Sequence, residues 1–449
     1  MSRTRDMTVG DPTRHILIFS LPIVAGNLLQ QLYSLVDTFV VGRVEGVTAL
    51  AAVSSSGWLD WMVLSIAIGL AQGFAIQIAQ SFGAHDQRQL SRAAGQGVTL
   101  AVTFTLLLEV LAQSLLVPVL RLLNTPAETF ELTALYLRII FSGLPLVMGH
   151  NMTAAFLRSV GNSRTPLVAM VVSTVTNIGL DLLFVAALRM GVAGAAWATV
   201  TAQGLSFLVC LIGMLRQEAL RFRASDLPPD LPMIRRLLSL GMPMAMQDCI
   251  ISIGGLVLQG VVNGFGFIFM AGYSATSRLQ GLLEVAGSSL GAGCSTFAGQ
   301  NRGAGRLDRV RLGLRRSAQI GVGMALVIAA LLFAFGPQLL SLFIEDEDPA
   351  VVSQVLTYAT RMLRVNCSAL FALYLLFVYR STIQGLGDTV IPMASGFVEL
   401  AMRVGSALLL PALVGEWGVY TAEILAWIGA AVFLIRGYYY RINRLSKEA

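Results

Sequence analysis

Apolar segments too long for a soluble core recur twelve times along this chain, and that recurrence leaves few folds open. They run over 15–42, 48–82, 91–118, 130–157, 164–188, 192–215, 234–264, 270–300, 311–336, 352–384, 390–412 and 418–440. About 20 helical residues cross the hydrocarbon core of a bilayer, so each segment is long enough to span it, and the longer ones tilt or protrude. In lipid every backbone N–H and C=O must be satisfied within the chain, which predicts helices. Charged residues make up 12% of the sequence, about half the share usual in soluble domains. Such a surface suits an outer wall that faces lipid. The first apolar run follows basic residues, as in a signal peptide. It continues well past the ~7–15 residues of a signal core and reads as a retained span.

The loop charges predict an orientation. All but one of the 31 basic residues are arginines, and most fall on one side of the predicted spans, among them Arg3, Arg5, Arg14, Arg88, Arg92, Arg221, Arg223, Arg302, Arg311, Arg315, Arg316, Arg380, Arg441 and Arg444. The opposite loops hold few, together with the acidic run Glu345-Asp346-Glu347-Asp348. The basic side is therefore read as cytoplasmic, with both termini inside. This distribution sets aside nucleic acid as the partner of a chain with net charge +6. A multi-pass protein of a plasma membrane, here a bacterial inner membrane, is expected.

The chain also repeats itself. Ser20-Leu-Pro22 and Ser239-Leu-Gly-Met-Pro243 open the two halves. Gln80-Ser-Phe-Gly83 corresponds to Gln300-Asn-Arg-Gly303, and Gly161-Asn-Ser-Arg-Thr-Pro166 to Gly387-Asp-Thr-Val-Ile-Pro392. Six spans per half is an even number, so the halves run in the same direction, related by an axis along the membrane normal. The expected division is 1–215, a cytoplasmic linker 216–233 containing Asp226-Leu-Pro-Pro-Asp230, and 234–449. A substrate is expected between the halves, near the midplane.

Polar residues inside spans need a partner, water or a proton, because an ionised Asp at a span centre costs about 2.5–3.5 kcal/mol. Asp37 lies deep in the first span, with Tyr33 and Gln30 on the same helix face at spacings of four and seven. An interfacial Asp held by water is the simpler alternative. Asn177 and Asp181 stack four apart in the fifth span, with Thr174 extending their face; a polar clamp between helices would explain them as well. In the second half, Gln247 with Asp248 and Gln280 with Glu284 are candidates for a cavity wall. Glu399 and Arg403, four apart, read as an internal ion pair. Asp60, Glu109 and Glu423 fit several roles. Pro22 and Pro243 sit at equivalent places in the first span of each half. Each frees a carbonyl and permits a kink, so they are candidate hinges.

Other chemistries lack their signatures. Cys210, Cys249, Cys294 and Cys367 form no CxxC pair and read as small buried hydrophobes. His15, His85 and His150 are too scattered for a metal site. No GxxxxGK[ST], HExxH or GxSxG occurs, which argues against direct ATP use and against the commonest hydrolases.

Several motifs resemble the multidrug and toxic compound extrusion (MATE) family, in order and over nearly the whole chain. They are Leu21-Pro22 followed by Tyr33-Ser-Leu-Val-Asp37-Thr-Phe-Val-Val-Gly42, Phe156-Leu-Arg-Ser-Val-Gly161-Asn-Ser-Arg-Thr-Pro166, Gly191-Val-Ala-Gly194-Ala-Ala-Trp197, Phe297-Ala-Gly-Gln300-Asn-Arg-Gly303 and Gln384-Gly385-Leu-Gly387-Asp388. Asn177-Ile-Gly-Leu-Asp181 resembles the DinF-like branch. The resemblance implies an all-α membrane fold of twelve transmembrane helices in two six-helix lobes, V-shaped, with a pseudo-two-fold axis along the membrane normal. It implies a monomeric antiporter that expels small organic, cationic or amphipathic compounds against H+ or Na+ by alternating access, with no other cofactor. It places cation coupling at Asp37, Asn177 and Asp181, with Asn151 matching more loosely; Na+ would bind at the first three. Gln30, Tyr33, Gln247, Asp248 and Glu284 are then expected to line the substrate cavity. The nearest alternative is a flippase for lipid-linked precursors in the same wider superfamily.

Overall fold

A computed structural model describes residues 4–123, 125–223, 226–344 and 348–448. Arg3 and the acidic stretch Glu345-Asp346-Glu347 lie outside them. The described residues form α1 (Pro12–Val44), α2 (Gly46–Gly83), α3 (Gln87–Leu122), α4 (Ala127–Ser142), α5 (Leu144–Ser159), α6 (Arg164–Asp181), α7 (Gly191–Leu215), α8 (Leu231–Asn263), α9 (Phe267–Gly303), α10 (Leu307–Ser341), α11 (Pro349–Ser368), α12 (Leu370–Gly385), α13 (Val390–Leu409), the short α14 (Pro411–Val414) and α15 (Trp417–Glu448). Helix covers all twelve apolar segments. Among the described residues nine helices are long and apolar enough to cross a membrane, and two bent pairs raise the count to 11. The remaining long helix, α9, has 37 residues. It is less apolar because Arg278, Gln280 and Glu284 interrupt it, and the last two belong to a polar network described below.

The bends fall at matched places in the two halves. The α4–α5 pair turns by 47° and the α11–α12 pair by 50°. Pro145 stands in the first turn of α5, where its missing N–H costs nothing and where it starts a new helix. The matched break at Ala369 has no proline. There Asn366 donates to Gln280 Oε1 at 2.8 Å, tying the end of α11 to α9.

The repeated Gly-Asn/Asp motif is a helix start. Gly161 and Gly387 take φ of +84° and +71°, the left-handed region open to glycine. The next residue caps the following helix: Asn162 Oδ1 accepts from the Thr165 N–H at 3.1 Å, and Asp388 Oδ1 from the Ile391 N–H at 3.2 Å. Pro166 and Pro392 then sit in the first turn, which has no need of their N–H groups.

Cα packing divides the chain into two units: Met1–Met7 with Leu21–Ala245, and Thr8–Ser20 with Met246–Ala449. Of the three boundaries, one precedes α1 and two run through a helix, in α1 beside Pro22 and in α8 beside Pro243. In the first unit the early part of α8 is held closely. A Cβ at Gly69 would lie 2.6 Å from the Ala245 Cα, and one at Gly73 would strike the Gly241 backbone. Small residues let these helices approach where lipid offers no hydrophobic drive. Arg236 Nε donates to Gln77 Oε1 at 3.1 Å. The segment between α7 and α8 is strapped onto α3. Gln96 Nε2 donates to the carbonyls of Asp226 and Pro228, both at 2.7 Å, and Ser91 Oγ donates to Asp226 Oδ2 at 2.8 Å. In the second unit, Arg306 and Arg309 bind the carbonyls of Thr8 and Gly10 at 2.8 and 2.9 Å, anchoring the segment before α1 there.

Candidate functional site

Three helices of the first unit build its polar centre. α6 brings Asn177 and Asp181 to one face, and at Asp181 the regular helix stops. Leu182–Ala187 continues as a π-helical stretch, a widening often found at functional sites. α1 brings Asp37. These side chains are 8% (Asp37), 1% (Asn177) and 0% (Asp181) exposed. The carboxyl groups of Asp37 and Asp181 come within interaction distance of each other. From α7, Thr199 Oγ1 accepts from Asn177 Nδ2 at a long 3.4 Å. That bond turns the Asn177 carbonyl oxygen to other use. Asp37 Oδ1, Asn177 Oδ1, both Asp181 oxygens and Thr174 Oγ1 are buried without a hydrogen-bond partner among the described residues.

Two carboxylates this close in a dry interior cannot both remain bare anions. At 4 Å and an effective dielectric near 20 they would repel by about 4 kcal/mol, besides the cost of leaving water. A proton shared between them, or a small cation among the oxygens, relieves both penalties. The donor set contains only oxygen, which suits hard cations and not transition metals. Among the described residues no three His, Cys, Asp or Glu are arranged to hold a metal ion.

Around this centre stand residues that sequence reasoning missed. The Tyr136 phenol, from α4, lies in the field of Asp37, Asp60 and Asp181. Tyr33 lies in the field of Asp60 and Asp37, with Gln30 and Gln203 of α7 beside it. Gln30, Tyr33 and Asp37 therefore belong to one polar system, as their shared face suggests, and Asp60 joins it. Asn151 engages its own helix, donating to the Val147 carbonyl at 2.9 Å. The spacing of Thr199 and Gln203, four apart on α7, is a sequence signal that could have found this wall.

The second unit handles charge differently. Glu399 and Arg403 pair at 3.1 Å, as their spacing suggests. Glu399 also binds Arg380 at 2.7 Å, and Arg403 binds Glu423 at 3.0 Å. Arg380 corrects the reading of the loop charges: it lies within α12, 7% exposed, as an internal counter-ion. Asp248 lies in the field of Arg380 and Glu399. Glu284 Oε1 accepts from Gln280 at 3.0 Å and shares the field of Glu423, Arg403 and Glu399. Gln247 Oε1 accepts from Gln384 Nε2 at 3.3 Å. Four acids thus face two arginines.

The family model MatE matches residues 22–183 and again 243–407, once in each half and starting at each candidate hinge proline. The chain belongs to the MATE family. Relatives of this MATE protein include the probable multidrug resistance protein YpnP of Bacillus subtilis, 31% identical over 76% of this chain and 77% of that one. YoeA of the same organism, also described as a probable multidrug resistance protein, is 29% identical over 95% and 93% of the two chains. Among solved structures, one described as MATE in complex with MaL6 superposes with a TM-score of 0.94 at 23% identity over the full length of both chains. A transporter of the MOP superfamily from Pyrococcus furiosus, described as having a binding pocket of reversed polarity, gives 0.93 at 22% identity over 99% of each chain. These structures show the two-lobed fold of this MATE chain.

Proposed function

We propose that this MATE protein is a secondary active exporter of small organic compounds, cationic or amphipathic, and not an enzyme. In this reading it exchanges them for H+ or Na+ by alternating access. The names of its Bacillus relatives support the efflux reading. The observation that carries the coupling reading is the set of buried, donor-less oxygens on Asp37, Asn177 and Asp181. The ion would take the place of the missing donors there. When it leaves, two carboxylates are exposed to each other, so an empty site favours a rearranged first unit. An ion gradient supplies the work, about 2.3 kcal/mol per charge at 100 mV from the potential alone. Asn151 is assigned to the outskirts of the site. Gln30 and Tyr33 in the first unit, and Gln247, Asp248 and Glu284 in the second, are assigned to substrate contacts, with Pro22 and Pro243 as bending points. The repeat 1–215 and 234–449, joined by 216–233, is read as the functional division. The protein is placed in a bacterial inner membrane as a monomer, termini in the cytoplasm. The surplus of acids in the second unit disfavours the flippase reading, since a pyrophosphate-linked lipid carries negative charge.

Efflux of ethidium from sealed vesicles, driven separately by a proton and a sodium gradient, tests the proposal. Wild type should respond to one ion, and Asp37→Asn and Asp181→Asn should not. Persistent gradient-driven efflux in both variants would remove the first-unit acids from coupling.

A further inference from the structure

The strap on α3 lies over Ser91, Gly95 and Gln96, whereas the chain segment at the start of α10, Thr8–Gly10, is held at Arg306 and Arg309. By the Gln80/Gln300 correspondence, the strap-binding positions Ser91, Gly95 and Gln96 match Arg311, Arg315 and Arg316. Where the first unit binds its own linker, the second unit presents three exposed guanidinium groups on α10. None of them has an ion-pair partner among the described residues, and Asp308, one turn before Arg311, makes none with it.

The end of α15 completes the place. Tyr438, Ile442 and Ser446 lie at four-residue spacing and share a face. Arg311 Nη2 donates to Ser446 Oγ at 2.7 Å and acts electrostatically on the Tyr438 hydroxyl. Tyr438 is 2% exposed, stacks edge-on against Tyr379 of α12 at 5.7 Å, and its hydroxyl is buried without a hydrogen-bond partner. A phenol in that position costs free energy unless it donates to something. Arg315 follows one turn along α10, and Lys447 flanks Ser446. Nearby basic residues are already neutralised: Arg441 pairs with Asp388 at 3.4 Å and Arg444 with Glu448 at 2.9 Å.

We propose that this corner of the second unit, formed by Arg311, Arg315, Tyr438, Ser446 and Lys447, binds the headgroup of an anionic phospholipid. Arg311 and Arg315 take the phosphate, Tyr438 donates to it, and the acyl chains lie along the apolar flank of α10. The choice of a lipid rests on the proposed orientation, which puts this end of α10 and α15 at the cytoplasmic leaflet, where anionic lipids and basic side chains meet. Basic clusters between helices at that level suit such headgroups.

The test is native mass spectrometry of the full-length, delipidated protein titrated with phosphatidylglycerol, phosphatidylcholine and glycerol phosphate. Phosphatidylglycerol is expected to bind in preference to phosphatidylcholine. Arg311→Gln and Arg315→Gln should each weaken it roughly fivefold, the factor equivalent to ~1 kcal/mol per basic residue. Tyr438→Phe should weaken it without lowering the unfolding temperature. Equal retention of phosphatidylglycerol by wild type and all three variants would overturn the site. So would equal binding of phosphatidylcholine, or glycerol phosphate binding as tightly as the lipid. Detergent micelles have no inside or outside, so an inverted orientation would leave the binding result unchanged. Orientation is read separately, by labelling Ser446→Cys from either face of sealed vesicles.

Discussion

Two copies of one family unit have placed their buried charges on opposite principles. In α6 of the first unit, Asn177 and Asp181 join Asp37 with no ion-pair partner among the described residues. In α13 of the second, the matched positions hold Arg403 and Ala407, and each arginine of the network lies against a glutamate. The first arrangement leaves a charge to be supplied from outside the chain. The second supplies most of its own, and it ties α12, α13 and α15 together. A repeat can thus keep its backbone plan, down to the bends at Gly143 and Ala369, while one copy is built to change charge state and the other to hold it.

Exchanging single charges should break the comparison most visibly in transport. Asp181→Asn should reduce gradient-driven efflux to the level of vesicles without protein, with unfolding temperature unchanged or raised, since an amide needs no counter-ion. A protein that unfolds at markedly lower temperature would make Asp181 a scaffold residue. In the second unit the same logic predicts the reverse. Arg403→Leu strands the buried Glu423, leaves Glu399 with Arg380 alone, and should destabilise by about 3–5 kcal/mol, whereas Arg403→Leu with Glu423→Leu should recover a large part of that loss. Thermal unfolding of the single and double variants measures the coupling; simple additivity would deny the network. A smaller effect belongs to Asn177→Ala. It removes one neutral oxygen and should raise the ion concentration for half-maximal efflux roughly tenfold, equivalent to about 1.5 kcal/mol, without abolishing transport. The smallest contrast is at the strap, which in the first unit lies over positions whose matches on α10 are exposed. The Arg223 N–H, and then the Ser91 hydroxyl, hold the Asp226 carboxyl below the usual carboxylate pKa. Its contribution is therefore full above the unfolded value and fades as pH falls through the lower folded one. Asp226→Asn should cost under ~1 kcal/mol at neutral pH, because solvent screens the partly buried group, and progressively less as pH falls. Comparing unfolding temperatures at pH 7 and pH 3 checks it.

The spans, the repeat and the acids of the first unit were legible because each is a contrast: apolar against polar, one half against the other, an Asp inside an apolar run. Tyr136 and Thr199 were not. A single tyrosine in an apolar helix has no periodic signal, and Thr199 with Gln203 is one spacing in an otherwise apolar helix; the meaning of each comes from which helix packs beside it. Arg380 was misread for a related reason. It stands near the end of its apolar segment, where an arginine ordinarily reaches water. Only the approach of Glu399 from α13 turns it inward.

The anchoring of Thr8–Ser20 in the second unit sets a timetable for biogenesis. Thr8 finds Arg306 across 298 residues of chain. At about 5–20 residues per second of synthesis, the N-terminal segment waits on the order of 15–60 s for its partner to emerge. During that interval it is a nascent helix end with nowhere to dock. Until the second unit is complete, that segment is held by something other than its final partner.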